Sequence, residues 1–199
     1  GLPITCEVAP HHFTLTDEAV RGYDTNTKMS PPLRTISDVN AIKEGLKDGT
    51  IDIIATDHAP HTLENKSLGF PKAHAGMPGV ETSLPVMLTH AADGKCSIPD
   101  VVRWMCEGPA SVYGIKRKGR LQEGMDADLV LVDMDERRVI SDADTWTRVG
   151  WTSYEGIPLT GWPMYTIVEG SIVHSRSVGG PNRGQVLVEP GTVGRALRF

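Results

Sequence analysis

The run Ile51-Asp-Ile-Ile-Ala-Thr-Asp57-His58-Ala-Pro-His61 constrains the fold more than any other stretch of the chain. Ile51, Ile53, Ile54 and Ala55 form a short, nearly continuous apolar segment. Such a segment suits a strand of a parallel sheet covered on both faces. It stops abruptly at an Asp followed by His58 and His61. A carboxylate and two imidazoles therefore stand where a buried strand opens to solvent, the place where α/β barrels and open α/β sheets carry their active sites.

The surrounding pattern repeats that rhythm. Residues 4–8 read as a strand ending at "APHHF". In "RTISDVNAIKEGLKDG" the spacing predicts a helix, with Thr35 as N-cap, Asp38 three residues on, Val39, Ile42 and Leu46 as the apolar stripe, and Gly49 just past the end. The strand at residues 51–55 follows at once. Strand, long loop, helix, strand and long loop make a parallel βα fold. The loop from Asp57 to about Gly79 has the length of a lid or binding loop. "VETSLPVMLTHAADG" and "SIPDVVRWMCEG" read as helices, the second with Ser97 as N-cap and Pro99 in its first turn. "PASVYGI" reads as a short third helix. The texture changes near Lys116. Residues 127–132 read as a strand, and "YTIVEGSIVHS" as a hairpin turning at Glu169-Gly170. The tail from Gly179, rich in Gly, Pro and Arg, is expected to be extended. These patterns divide the chain into 1–115, an α/β part, and 116–199, a small β-rich domain with its tail. No internal repeat is visible.

The chain has 199 residues and a net charge of -5, with no basic run interleaved with aromatics, which argues against nucleic acid as a partner. No apolar stretch approaches the ~20 residues of a membrane-spanning helix, and no signal peptide is visible. Cys6, Cys96 and Cys106 are odd in number and lack metal spacing, so reduced, buried thiols in a cytoplasmic protein are expected. The chain starts without Met inside an apolar run, the pattern of a C-terminal part of a longer protein.

Asp57 has two readings. At a strand end it can ligate a divalent metal and serve as general base; the plainer role is a cap or loop acceptor. Its neighbours His58 and His61 favour the first. His61 is a candidate metal ligand or donor to an anionic substrate, or an exposed loop histidine without a role. His11 and His12 end the preceding strand, so four histidines could share one rim; one of these two is more simply a supporting histidine. His74 has no such context, His90 reads as helix surface and His174 as strand surface. No G-x-S-x-G elbow or phosphate-binding loop is present, and no Cys has a clear base beside it. Metal-assisted hydrolysis remains.

At "EVAPHH", "KMSPPLR", "ATDHAPHT" and "GVETSLP" the chain resembles the bacterial, longer-chain dihydroorotases of the cyclic amidohydrolase superfamily. The resemblance runs from Ile4 to the closing "GRALRF" and includes "GWTSYEG" and "LTGWPMYTIVEGSIV". It implies an α/β fold: the last two strands and helices of a metal-dependent (β/α)8 TIM barrel, plus most of a small β-rich domain. It implies reversible cyclisation of N-carbamoyl-L-aspartate to L-dihydroorotate in pyrimidine biosynthesis, with zinc, one or two ions per full-length site. Asp57 matches the family's aspartate that binds zinc and shuttles the proton. His61 matches a contact to the substrate carboxylate, and Gly76 a loop position that presents backbone to substrate. Ser30 stands where the family often has an Asn that touches the substrate ring. The family's remaining metal ligands precede the first residue here, so the chain by itself is expected to bind zinc poorly and to be inactive. The partners implied are a small-molecule substrate and a homodimer or aspartate transcarbamoylase. Two alternatives stand: an allantoinase or dihydropyrimidinase-type cyclic amidase, and a non-catalytic dihydroorotase-like subunit of aspartate transcarbamoylase.

Overall fold

A computed structural model describes residues 2–176 and 185–187. The elements in chain order are β1 (Glu7–Val8), α1 (His11–Thr14), α2 (Ile36–Asp48), β2 (Ile53–Ile54), α3 (Leu63–Lys66), α4 (Val80–Ala92), α5 (Ile98–Val102), α6 (Gly108–Val112), β3 (Leu129–Val139), β4 (Pro158–Val168), β5 (Ser171–Ser175) and β6 (Gln185–Val186). A π-helical turn, Arg103–Glu107, joins α5 to α6. The class is mixed α/β. The chain divides into two compact units, Gly1–Ser83 with Val139–Ile157, and Leu84–Arg138 with Pro158–Phe199.

In the first unit β1 and β2 are parallel, with Glu7 opposite Ile53 and Val8 opposite Ile54. Both strands are shorter than the expected 4–8 and 51–55. Backbone bonds extend the pairing, from Asp52 N–H to Cys6 O (2.9 Å) and from Ala55 N–H to Val8 O (3.0 Å). Ile51 is diverted: its N–H donates to Gly45 O in α2 (2.9 Å). α2 is the expected helix. Asp38 Oδ2 accepts from Thr35 N–H (3.1 Å) and from Thr35 Oγ1–H (2.6 Å), and Gly49 closes the helix at φ +83°. Its Val39 and Leu46 are buried, as are Phe13, Ile53 and Ile54.

Val139–Ile157 completes this unit. Trp151 is only 1% exposed and its Nε1–H donates to His61 O (2.8 Å). Tyr154 is buried, its hydroxyl 3.0 Å from Thr14 Oγ1, and burial pushes its phenol well above the usual range. Ser153 Oγ–H donates to Asn26 O (2.5 Å).

In the second unit the sheet order is β3-β4-β5-β6. β4 and β5 form the expected antiparallel hairpin, with Val168 opposite Ser171 and a register shift between Thr166 and Ile167. Its two turn residues, Glu169 (φ +49°) and Gly170 (φ +82°), both lie in the left-handed region that a two-residue hairpin turn demands. β3 runs seven residues past the expected end. Ser97 caps α5 as expected, its Oγ accepting from Asp100 N–H (3.3 Å). The helix expected to stop at Gly108 instead runs through the π turn into α6, where Pro109 has no N–H to give an ordinary helical ladder. The expected buried thiols are a correction: Cys6 and Cys106 are exposed and Cys96 is half-buried, all three free. The expected extended tail from Gly179 lies outside the described residues except for 185–187. No helix among the described residues is long and apolar enough to cross a membrane.

Candidate active site

Asp57 follows β2 within three residues and adopts φ +47°, a conformation that non-glycine residues enter rarely and Asp more readily than most. The turn takes it out of the strand and onto the wall of an open cleft of about 800 Å³ in the first unit. Ser30, His12, Arg34 and the apolar Val8, Ile42 and Ile51 share that wall. Ser30 begins a cis bond to Pro31, and the Pro31 carbonyl accepts from His12 Nε2–H (2.9 Å). His12 is thus held by the loop that carries Ser30. His11 is buried, its ring 4.2 Å from that of His12. Burial first, and the neighbouring imidazole second, lower its pKa from 6.5 to about 4, so it is a neutral packing residue at pH 7.

His58 has a role that adjacency to Asp57 concealed. Its Nδ1 accepts from Gly79 N–H (3.0 Å) and Val80 N–H (3.2 Å), the first donors of α4. The cap in "TDHAPH" is therefore the histidine and not the aspartate. With Nδ1 accepting, the ring proton sits on Nε2.

His61 is half-buried, and its Nε2–H donates to Ala75 O (3.0 Å). Its ring meets that of His74 edge-on at 5.1 Å. Gly76, at φ +128°, is a position where a Cβ would lie 2.7 Å from Ala59 Cβ and 2.8 Å from Ala59 O. Gly79 meets Thr56 O as closely, at 2.9 Å. These two glycines let residues 76–79 lie against 56–59, where Ala59 N–H donates to Met77 O (2.9 Å). Gly76 N–H donates to Lys28 O (2.8 Å), and its carbonyl accepts from Lys66 Nζ (2.7 Å).

The structure thus puts Asp57, Ser30 and His12 on one cleft wall, and His61 and Gly76 together in the following loop. The four histidines do not form one cluster: among the described residues no three His, Cys, Asp or Glu side chains group as metal ligands. Asp57 is a single donor. These residues by themselves do not fit zinc. His90 and His174, expected on the surface, are half-buried. Sequence reasoning missed Lys66 and Trp151, whose partners lie up to 90 residues away. The one available signal was a lysine that ends the short "TLENK" segment inside a binding loop.

The amidohydrolase family model matches residues 4–173, most of the chain. The chain belongs to the amidohydrolase family. Among curated members it is similar to dihydroorotases, at 47% identity to that of Geobacter metallireducens and 48% to that of Pelotomaculum thermopropionicum. These matches cover 88% and 87% of this chain but only 41% and 40% of those proteins, so this family member spans about two-fifths of their length. Among solved structures it resembles the L-hydantoinase of Arthrobacter aurescens, with TM-score 0.84 and 35% identity over 93% of this chain and 41% of that one. A D-hydantoinase from Thermus sp. matches with TM-score 0.82 and 28% identity, over 96% and 42%.

Proposed function

We propose that this chain is the C-terminal part of a dihydroorotase, which interconverts N-carbamoyl-L-aspartate and L-dihydroorotate in pyrimidine biosynthesis. In this reading β1 and β2 are the last two strands of a (β/α)8 barrel, residues 1–115 complete its C-terminal part, and 116–199 are a small β domain. The observation that carries the reaction class is Asp57, turned by its left-handed backbone out of β2 onto the cleft wall. A carboxylate so placed accepts a proton from the attacking water and delivers it to the leaving amide nitrogen. The identity to curated dihydroorotases supports the substrate.

His61 has one nitrogen committed to Ala75 O, so Nδ1 is the nitrogen left to meet a substrate carboxylate. Ser30 offers a short donor and acceptor from the cleft wall to the substrate ring. Gly76 offers the second lone pair of its carbonyl. Zinc, which Asp57 would help to hold, needs its other ligands from outside these residues. A cytoplasmic location and a homodimer or aspartate transcarbamoylase complex belong to the same proposal. A hydantoin-cleaving cyclic amidase is the second reading, favoured by the hydantoinase structures and opposed by the lower identity to them.

The test is steady-state turnover of dihydroorotate, dihydrouracil and hydantoin by the full-length enzyme. Dihydroorotate should be preferred by on the order of tenfold to hundredfold, the range of a charge-assisted hydrogen bond to its carboxylate. His61→Ala should erase that preference without loss of metal. Equal or faster turnover of a neutral ring overturns the assignment.

A further inference from the structure

Lys66 is the most deeply buried cation of the first unit, only 2% exposed. It ends α3, which Thr62 starts by accepting Asn65 N–H on its Oγ1 (3.2 Å). Its ammonium donates to three carbonyls: Gly76 O (2.7 Å), Thr25 O (2.9 Å) and His74 O (3.0 Å). An ammonium has three N–H donors. All are taken, so none remains for a substrate or a proton-transfer step. The Trp151 ring lies 5.1 Å away, and that indole donates to His61 O.

The acceptors are not scattered. Thr25 O belongs to the loop that leads through Lys28 to Ser30. His74 O and Gly76 O flank the loop residue whose carbonyl holds His61 Nε2–H. Gly76 is gripped from both sides, its N–H by Lys28 O and its carbonyl by Lys66. A second lysine repeats the device at the loop's other end, where Lys28 Nζ donates to Phe70 O and Ala73 O, both at 2.6 Å. Asn65 Oδ1 adds a bond from His74 N–H (2.9 Å). Backbone carbonyls in an irregular loop repel one another when they converge, and a cation at their focus reverses that preference.

We propose that Lys66 is a positioning residue which, by binding three loop carbonyls with its ammonium, holds His61 and Gly76 in their substrate-binding arrangement. This rests on the cyclic-amide reading for the choice of substrate and for the substrate contacts of His61 and Gly76. Burial lowers its pKa to about 8, with the Asp24 carboxylate pulling it up and the neighbouring Lys28 ammonium pushing it down. The role predicts a particular kinetic split. The Lys66 ammonium bonds the carbonyls of Thr25, His74 and Gly76 and makes no bond to Asp57, so proton transfer is spared. What is lost is binding common to ground and transition states, which raises KM and leaves kcat.

The experiment uses Lys66→Met and Lys66→Gln in the full-length enzyme, the second keeping two N–H donors and a polar end. Lys66→Met should raise KM for dihydroorotate at least about tenfold, with kcat within about twofold and metal content unchanged. Lys66→Gln should fall between it and the parent. Without substrate, amide hydrogen exchange at His74 and Gly76 should quicken in both variants while core amides of α2 keep the parent's rate. Parental KM and parental exchange in these variants overturn the proposal. So does loss confined to kcat, or failure of both variants to fold, which would make Lys66 a residue of global stability alone. If the parent does not turn over dihydroorotate, the substrate reading fails and the exchange arm still decides the role of Lys66.

Discussion

Asp57 carries both backbone strain and the proposed chemistry. A non-glycine residue at φ +47° costs of order 1 kcal/mol, and such outliers concentrate at functional positions. Asp57→Asn keeps the shape and removes the proton acceptor. In the full-length enzyme it should lower kcat for ring opening by about 10²–10⁴-fold, the usual contribution of a placed acid or base. Steady-state kinetics beside metal analysis checks this; near-parental turnover would remove Asp57 as the base. His58 is no substitute, since its Nδ1 is occupied by the α4 amides. That distinction was invisible in the sequence: the motif "TDHAPH" groups a carboxylate with two imidazoles but does not say which histidine serves the backbone, because the donors lie 21 and 22 residues away. His11 gives a pH prediction. Its folded pKa of about 4 lies below the unfolded 6.5, so the unfolded chain binds the extra proton. Stability is fully present above pH 6.5 and lost as pH falls from there towards 4, by about 3 kcal/mol in all. Urea unfolding across that range should show the loss, and His11→Gln should lack it. A variant that loses as much as the parent would show other groups to be responsible.

Elements built from local signals were legible, and those built from distant ones were not. The capping pair Thr35 and Asp38 and the terminal Gly49 fixed α2 within a residue at each end, and Glu169-Gly170 fixed the hairpin. The paired length of β1 and β2 was misread because an apolar run reports burial, while strand length depends on which neighbour takes each N–H; α2 takes that of Ile51. Likewise "GWTSYEG" reads as a motif, yet only the fold reveals it fastened to Thr14, Asn26 and His61. The packing of α4 on β4 is equally non-local. Gly161 in β4 sits at φ +90°, where a Cβ would lie 2.6 Å from Leu88 Cβ, and the Thr89 hydroxyl accepts from Thr160 N–H (2.8 Å). Gly161→Ala should therefore destabilise by about 1–3 kcal/mol, the range for overpacking a close contact. Gly156→Ala is the control, since Gly156 also has a positive φ (+77°) but nothing within 4 Å. Chemical denaturation of both variants separates backbone strain from steric conflict. Equal losses would show that the α4–β4 approach yields freely.

At the scale of the whole chain, each unit leaves apolar surface uncovered. In the first, β1 pairs only with β2 among the described residues, and the cleft beside them is walled by Val8, Ile42, Ile51 and Ala55. Ile4, on the approach to β1, is 74% exposed. A two-stranded sheet is marginal in water unless something packs on it, and an open strand edge templates pairing with another chain. In the second unit Val130 and Leu131, adjacent in β3, are each 48% exposed, and Leu121 is 89% exposed. Scattered exposed side chains are ordinary, but an apolar cleft beside an open edge is a surface for association. The curated relatives are about twice as long as this chain, so each has further chain available to cover such faces. The 199-residue chain on its own is expected to self-associate and to bind a hydrophobic dye, whereas the full-length enzyme should do neither through these faces. Sedimentation velocity across a dilution series, with dye fluorescence on the same samples, checks this. A charge at the cleft wall, Ile51→Lys, should weaken association by repulsion and by the cost of burying an ammonium. A monomer with low dye binding and a sharp, reversible thermal transition would mean that the cleft and the edge are tolerated by the chain alone.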